Sequence, residues 1–323
     1  AFVTLKTSSR IAHLGEQVGR GLKFVLLDSY EAGTPTWTPR MREAFQARRG
    51  YDPLPFLPVL GGFRVASAER EAAFRADWDQ TVKDLYRDVL FKTMREKLHA
   101  VGLEFACEPY TGPFDSRACA AHVDRLMTEF WFNPSLNRGV PKRLGWNQWT
   151  GPDGRRHNVV EAEAFTGQPN VCQWTETPLQ LKACGDQQFA RGVNRFILHT
   201  SPLQPWDDGI VPGMTMGRWG MHLDRTQTWW AFAKPWFAYQ TRCQYLLQAG
   251  TFCADVLFFA GEAAPNQGGN TDGGSAAAAF FTLPDGYASD ICPTDAMYQL
   301  KVEDGCVVVP GGVRSRVLAL PPM

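Results

Sequence analysis

Apolar residues along the chain follow two alternating patterns. Short β-branched or aromatic runs end on an acidic or polar residue, and longer stretches carry apolar positions every three or four residues; the first predicts strands and the second amphipathic helices. The predicted strands are KFVLLD, LEFACEPY, LMTEFW, VVEAEAF and VNRFILHT. Residues 10–21 (RIAHLGEQVGRG) read as a helix ending at glycine before the first strand. PRMREAFQARRGYD starts another helix, and Ser67 to Ala100 reads as one long helix. Ser67 is placed to cap that helix, Glu69 and Glu71 charge its first turn, and Phe74, Trp78, Leu85, Val89 and Met94 mark its apolar face. DSRACAAHVDR and the helix TPLQLKACGDQQFARG provide the later connections. Strands separated by such connections predict parallel pairing with right-handed crossovers.

After VNRFILHT comes a long loop with Trp206, the PGMTMGRWG segment and His222, followed by an aromatic helix, TQTWWAFAKPWFAYQTRCQYLLQAG. From Ala254 the pattern changes: ADVLFFAGE is a buried strand, Asn266 to Ser275 a Gly/Asn linker, and VVVP and RVLALPP short strands. The expected organisation is an α/β region of parallel strands and helices over 1–253, of TIM-barrel or doubly wound type, and the start of a second α/β domain over 254–323.

Four segments bring a glutamate to a strand end: Glu31, Glu108, Glu129 and Glu163. Carboxylates at the C-terminal ends of successive strands line the pocket of a β/α barrel, and glycosidases need such a pocket. A doubly wound sheet fits the same alternation, but recurrence of these residues at each strand end favours a barrel mouth.

Composition narrows the function classes. Lys+Arg and Asp+Glu balance at 33 each, so nothing points to a nucleic-acid partner. The chain holds 11 Trp, 21 Phe and 8 Tyr, many near Pro and Gly, where rings can stack on sugars, although most are expected in the core. Eight cysteines fall without a CxxC pair, so neither a zinc site nor a disulfide framework is expected, and Cys107 beside Glu108 reads as a packing thiol. No run of about 18 apolar residues predicts a membrane span. The opening AFVTLKTSS lacks the features of a signal peptide. The compartment stays open, with a secreted or periplasmic setting favoured. GxSxG, HExxH, GxxxxGK[ST] and GxGxxG are all missing from the sequence.

DSYEAGTPTWTPRMREAFQARRGYDPLPFLPVLGG, EPYTGPFD, TEFW, EAEAFTG, LKACGDQQFARGVNRFILHT, QPW, PGMTMGRWGMHLDRTQTWW and RCQYLLQAGTFCADVLFFAGE run from about Gly21 to Glu262. In that order they resemble the catalytic region of glycoside hydrolase family 106, the α-L-rhamnosidases. The resemblance implies a (β/α)8 barrel, inverting hydrolysis of α-L-rhamnosides from plant or microbial glycans or glycosides, and often a calcium ion contacting sugar hydroxyls. Two departures stand out: Tyr30 where many relatives carry Trp, and an Arg/Trp-rich stretch before VVEAEAF. With VNRFILHT as the eighth strand, FVLLDSYE is the fourth, and three strands are expected outside this chain.

Inverting hydrolysis needs a protonated carboxyl for the leaving oxygen and a carboxylate to activate water, roughly 6.5–9.5 Å apart. Glu31 is assigned as general acid and Glu129 as general base, the pair being firmer than the order of roles. Glu108, before a proline, and Glu163, which shares a strand face with Glu161, are assigned to sugar hydroxyls or calcium. Asp28 is expected to brace the strand end, His199 to donate to a sugar hydroxyl, and Trp206, Trp219 and His222 to line the pocket. Two alternatives remain: a barrel that binds carbohydrate without cleaving it, and a glycosidase of different sugar specificity on the same scaffold. Nothing in the sequence addresses oligomeric state.

Overall fold

The computed structural model describes residue 18 and residues 20–33, 37–110, 112–132, 140–142, 149–150, 156–207, 209–259, 283–284, 286–292, 294–310 and 312–320. Most of the helix expected over 10–21, most of the polar loop between Asn133 and Asn158, and the linker from Asn266 to Ser275 lie outside the described residues, and the described Val18 forms a parallel bridge with Leu22 and not a helix. The chain forms two compact units, Ala1–Asp124 and Arg125–Met323.

In the first unit, β1 (Phe24–Leu27) pairs in parallel with β2 (Glu104–Cys107), Leu27 opposite Cys107. Helices make the connection. α1 (Met41–Arg49) stops where Gly50 takes φ 82°, a left-handed cap that glycine adopts without strain. Its Met41 and Phe45 pack with Val59, Phe74 and Trp78. The expected single long helix is three pieces: α2 (Ala68–Leu85), a π turn at Tyr86–Phe91, and α3 (Lys92–His99). Ser67 caps α2, its hydroxyl accepting the Arg70 N–H at 3.4 Å. The wide turn rotates the apolar stripe. Phe74 and Trp78 stay buried, but Val89 is 54% exposed and Phe91 takes the inner place. Glu71, expected to charge the first turn, is buried and folds back to accept the N–H groups of Val65 and Ala66 at 2.8 and 3.0 Å. A short helix, α4 (Ser116–Ala120), lies near the end of this unit.

In the second unit, β3 (Arg125–Phe132) pairs in parallel with β7 (Glu161–Gly167), and β7 in parallel with β8 (Arg195–Leu198). β4 (Val140–Lys142) runs antiparallel to β3, and β5 (Trp149–Thr150) and β6 (Arg156–His157) form a two-residue ladder. α5 (Pro178–Ala190) connects β7 to β8. It starts with Pro178 at its first position, and the Gln180 side-chain oxygen accepts the Thr177 N–H at 3.0 Å.

Alternation along the strands sends Phe130, Phe132, Ala162, Ala164 and Phe196 against Leu181, Cys184 and Phe189 of α5 and Trp236 of α6 (Lys234–Ala249). A Cβ at Gly185 would stand 3.1 Å from Phe165 and 3.2 Å from Phe196, so the glycine admits both rings against the helix. Side-chain amides of α6 also serve β8: Gln244 accepts the Phe196 N–H at 2.8 Å, and Gln248 donates to the Asn194 carbonyl at 2.7 Å. The opposite strand face carries Arg125, Met127, Glu129 and Trp131 of β3 and Glu161 and Glu163 of β7. Glu161, 1% exposed, is clasped by two guanidinium groups. Arg195 donates to its Oε1 at 2.6 Å, and Arg125 donates through Nε at 3.1 Å and through a second, shorter bond.

Farther along, β9 (Val256–Phe259) is the middle of a parallel three-stranded sheet with β10 (Ser289–Cys292) and β14 (Val317–Ala319). β11 (Lys301–Glu303), β12 (Cys306–Val308) and β13 (Arg314–Ser315) form an antiparallel sheet. Parallel strands joined by helices give the α/β class expected from the sequence. Among the described residues, no helix is long and apolar enough to cross a membrane.

Candidate active site

The strand ends of the first unit hold three of the expected carboxylates. Glu108 follows β2 directly, with its N–H bonded to the Leu27 carbonyl at 3.1 Å. Its side chain is buried, and the Tyr110 hydroxyl donates to Oε2 at 2.6 Å. Asp28 follows β1, is exposed, and accepts the Ser29 N–H at 3.0 Å. The Ser29 hydroxyl donates to Glu31 Oε1 at 3.0 Å, and Glu31 is also exposed. Between them Tyr30 turns inward: its ring meets Tyr86 and Phe114 edge-on, and its hydroxyl accepts from Tyr86 at 2.9 Å. An inward tyrosine thus anchors a turn whose two acids face solvent.

In the second unit, Glu129 on β3 stands in register with Glu163 on β7. Neighbouring strands lie about 4.8 Å apart, so the two side chains share one face in one layer. Beyond them the register breaks: Phe165, at φ 64°, is an extra residue opposite the Phe130–Trp131 step. The bulge sends the Phe165 ring into the core, 4.9 Å from Phe130, and returns Thr166 to the side of Glu163. The Thr166 hydroxyl donates to Glu163 Oε1 at 2.6 Å. On a regular strand, residues three apart point to opposite faces, so the bulge creates this contact.

His199 follows β8, and its Nδ1 lies 3.8 Å from the same Glu163 oxygen. Its N–H bonds the Ala164 carbonyl at 3.1 Å, and its carbonyl accepts the Met221 N–H at 3.2 Å. Thr200 and Leu223 continue the pairing, so residues 199–200 and 221–223 run side by side. Gly220 allows this: at φ 69°, a Cβ there would stand 2.7 Å from His199 Nδ1. His222 is brought in by the same pairing. It is buried, with its ring stacked on Trp174 at 4.4 Å and 28°. Burial holds its pKa below the usual histidine value against the opposing charge of Asp224, so the neutral imidazole prevails at neutral pH.

Trp219 is half-exposed and meets Trp131 edge-on at 5.5 Å, with the Arg218 guanidinium 5.8 Å from its ring. Trp131 lies two residues past Glu129 on the same strand face. Trp206 is exposed and accepts a bond from Arg225 at its carbonyl; among the described residues no ring contact ties it to Trp219.

No motif or period in the sequence singles out Thr166, Trp131, Trp174 or Glu176. Glu176 is 2% exposed, its carboxyl lies beside the Cys172 thiol, and a Cβ at Gly167 would collide with Oε1. Its carbonyl accepts the Trp229 indole N–H at 2.8 Å. Burial pushes the carboxyl's pKa up, and burial together with Glu176 pushes the nearby Cys172 thiol to about 12. The sign of the linkage follows. A raised folded-state pKa gives a contribution fully present below the unfolded value and lost as pH rises through the folded value. Glu176→Gln keeps shape and neutrality, so its thermal midpoint is expected to fall less between pH 5 and pH 8 than that of the wild type. Parallel curves for the two proteins would refute a buried neutral acid.

Comparison with known proteins bears on the chemistry. The family described as alpha-L-rhamnosidase, glycoside hydrolase family 106, matches residues 6–323. A protein of Formosa agariphila named "Putative beta-glucuronidase" is 36% identical over 312 residues, 95% of this chain and 25% of that protein. The solved structure of a rhamnosidase from Novosphingobium sp. PP1Y superposes with a TM-score of 0.75 at 30% identity, over 96% of this chain and 30% of that one. The chain thus spans about a quarter to a third of the length of these relatives. With the match covering nearly its whole length, the chain belongs to glycoside hydrolase family 106, the α-L-rhamnosidase family.

Proposed function

We propose that the protein is a glycosidase that removes terminal α-L-rhamnosyl groups from plant or microbial glycans or glycosides with inversion, on the (β/α)8 frame its sequence implies. The observation that carries this is the pair Glu129 and Glu163, in register on neighbouring strands with Thr166 and His199 around Glu163, in a member of this family. In this reading the water's oxygen bonds to the anomeric carbon as the glycosidic C–O bond breaks. Glu129 takes the water's proton, and Glu31 gives a proton to the leaving oxygen. Glu108 and Glu163 bind sugar hydroxyls. Each also offers carboxylate oxygens of the kind calcium prefers, set in place by Tyr110 and Thr166 respectively. A bound calcium would supply positive charge toward sugar hydroxyls.

The name of the Formosa relative favours one second reading, a different glycosidic specificity on the same scaffold. A panel of aryl glycosides decides. The expected result is turnover of the aryl α-L-rhamnoside, with β-L-rhamnose as the first product seen by NMR. Turnover of an aryl β-D-glucuronide alone would replace the rhamnosidase reading, and α-L-rhamnose as first product would remove inversion.

A further inference from the structure

We propose that Trp174 and His222 act as one element that reads a hydroxyl of the bound saccharide; this deepens the glycosidase reading above and rests on it. Two buried ring nitrogens, Trp174 Nε1 and His222 Nε2, have no hydrogen-bond partner among the described residues. Buried polar groups are normally satisfied, so two of them on touching rings call for a ligand. The stack at 4.4 Å and 28° fixes both rings relative to each other.

The chemistry selects the ligand group. An indole N–H only donates, whereas a neutral imidazole nitrogen can accept. A hydroxyl does both: it accepts from Trp174 and donates to His222. A carboxylate has no proton for the imidazole, and an ammonium cannot accept from the indole. The depressed pKa of His222 agrees with an accepting nitrogen.

Placement agrees as well. Trp174 stands in the turn between β7 and α5, and His222 in the segment paired with His199 and Thr200 after β8, so both lie beyond the C-terminal ends of β7, which carries Glu163, and of β8, which leads to His199. The turn is strained where the ring is presented: Gln173 and Trp174 take φ 46° and 67°, two successive left-handed residues that are not glycine. Such strain is held by surrounding structure and clusters at ligand sites. Here Gln227 donates to the Trp174 carbonyl at 3.4 Å.

Trp174→Phe keeps a stacking ring and removes only the N–H. Measured in the full-length protein, on the aryl glycoside the wild type cleaves best, it should raise KM roughly 3- to 10-fold. The thermal midpoint without ligand should stay equal or rise, because the lost donor has no partner among the described residues. His222→Gln, which keeps a side-chain amide in place of the ring nitrogens, should also raise KM, and the double variant should show less than the product of the two effects. An unchanged KM in Trp174→Phe beside an active wild type overturns the pair alone. A lowered midpoint without ligand assigns Trp174 to the fold and overturns it too. A wild type that cleaves no glycoside of the panel overturns the glycosidase reading and this inference with it.

Discussion

Glu129→Gln should lower turnover on an aryl α-L-rhamnoside by about 10²- to 10⁴-fold, the range a positioned proton-transfer group contributes. The fold should survive, because Gln matches Glu in shape and keeps an oxygen acceptor. Glu163→Gln should behave differently. Its oxygen accepts the Thr166 hydroxyl and faces His199 Nδ1, an arrangement suited to binding, so the expected change is mainly a raised KM. Steady-state kinetics with the two variants, checked by circular dichroism, separates the roles. Wild-type turnover in Glu129→Gln would remove it from the chemistry, and loss of kcat with unchanged KM in Glu163→Gln would make Glu163 the proton-transfer group instead.

Glu161→Ala carries the largest expected cost to the fold. It removes the buried carboxylate that Arg125 and Arg195 both clasp; breaking a fully buried ion pair from one side costs about 3–5 kcal/mol, and because both guanidinium groups reach solvent the expected cost lies toward about 2–3 kcal/mol. Replacing all three residues by apolar ones of similar volume should cost far less, because the opposing charges are removed together. Chemical denaturation midpoints of the single and triple variants make the test, and equal losses in both would show that packing rather than charge matters here. The carboxylates two residues apart on β7 are therefore predicted to fail in different assays: Glu161 in stability, Glu163 in substrate handling.

Much of this arrangement was legible in the sequence. The runs before Glu108 and His199 are strands that end there as expected, whereas β3 continues three residues past Glu129 and β7 four past Glu163, so those two glutamates lie within strands and not at their ends; the shared face of Glu161 and Glu163 follows from a period of two. What escaped has physical causes. The π turn at Tyr86–Phe91 depends on packing and leaves no mark in residue spacing, so Val89 was placed on the wrong face. Thr166 reaches Glu163 only through the bulge at Phe165, and strict alternation would place it on the other side. Trp174 and Glu176 sit outside the regular runs, and their importance comes from polar atoms buried in the fold, which needs three dimensions to see.

The bulge at Phe165 also changes how insertions and deletions act on this strand. Removing that one residue would straighten β7 and place Thr166 two residues after Glu163, still on the same face, so in the shortened strand the hydroxyl contact does not depend on the bulge residue itself. The deletion would empty the place of a ring that sits 4.9 Å from Phe130, 5.3 Å from Phe196 and 5.6 Å from Trp236. The cost of that deletion thus falls on the core, where three rings lose their neighbour, so β7 can exchange surface side chains far more readily than it can lose this residue.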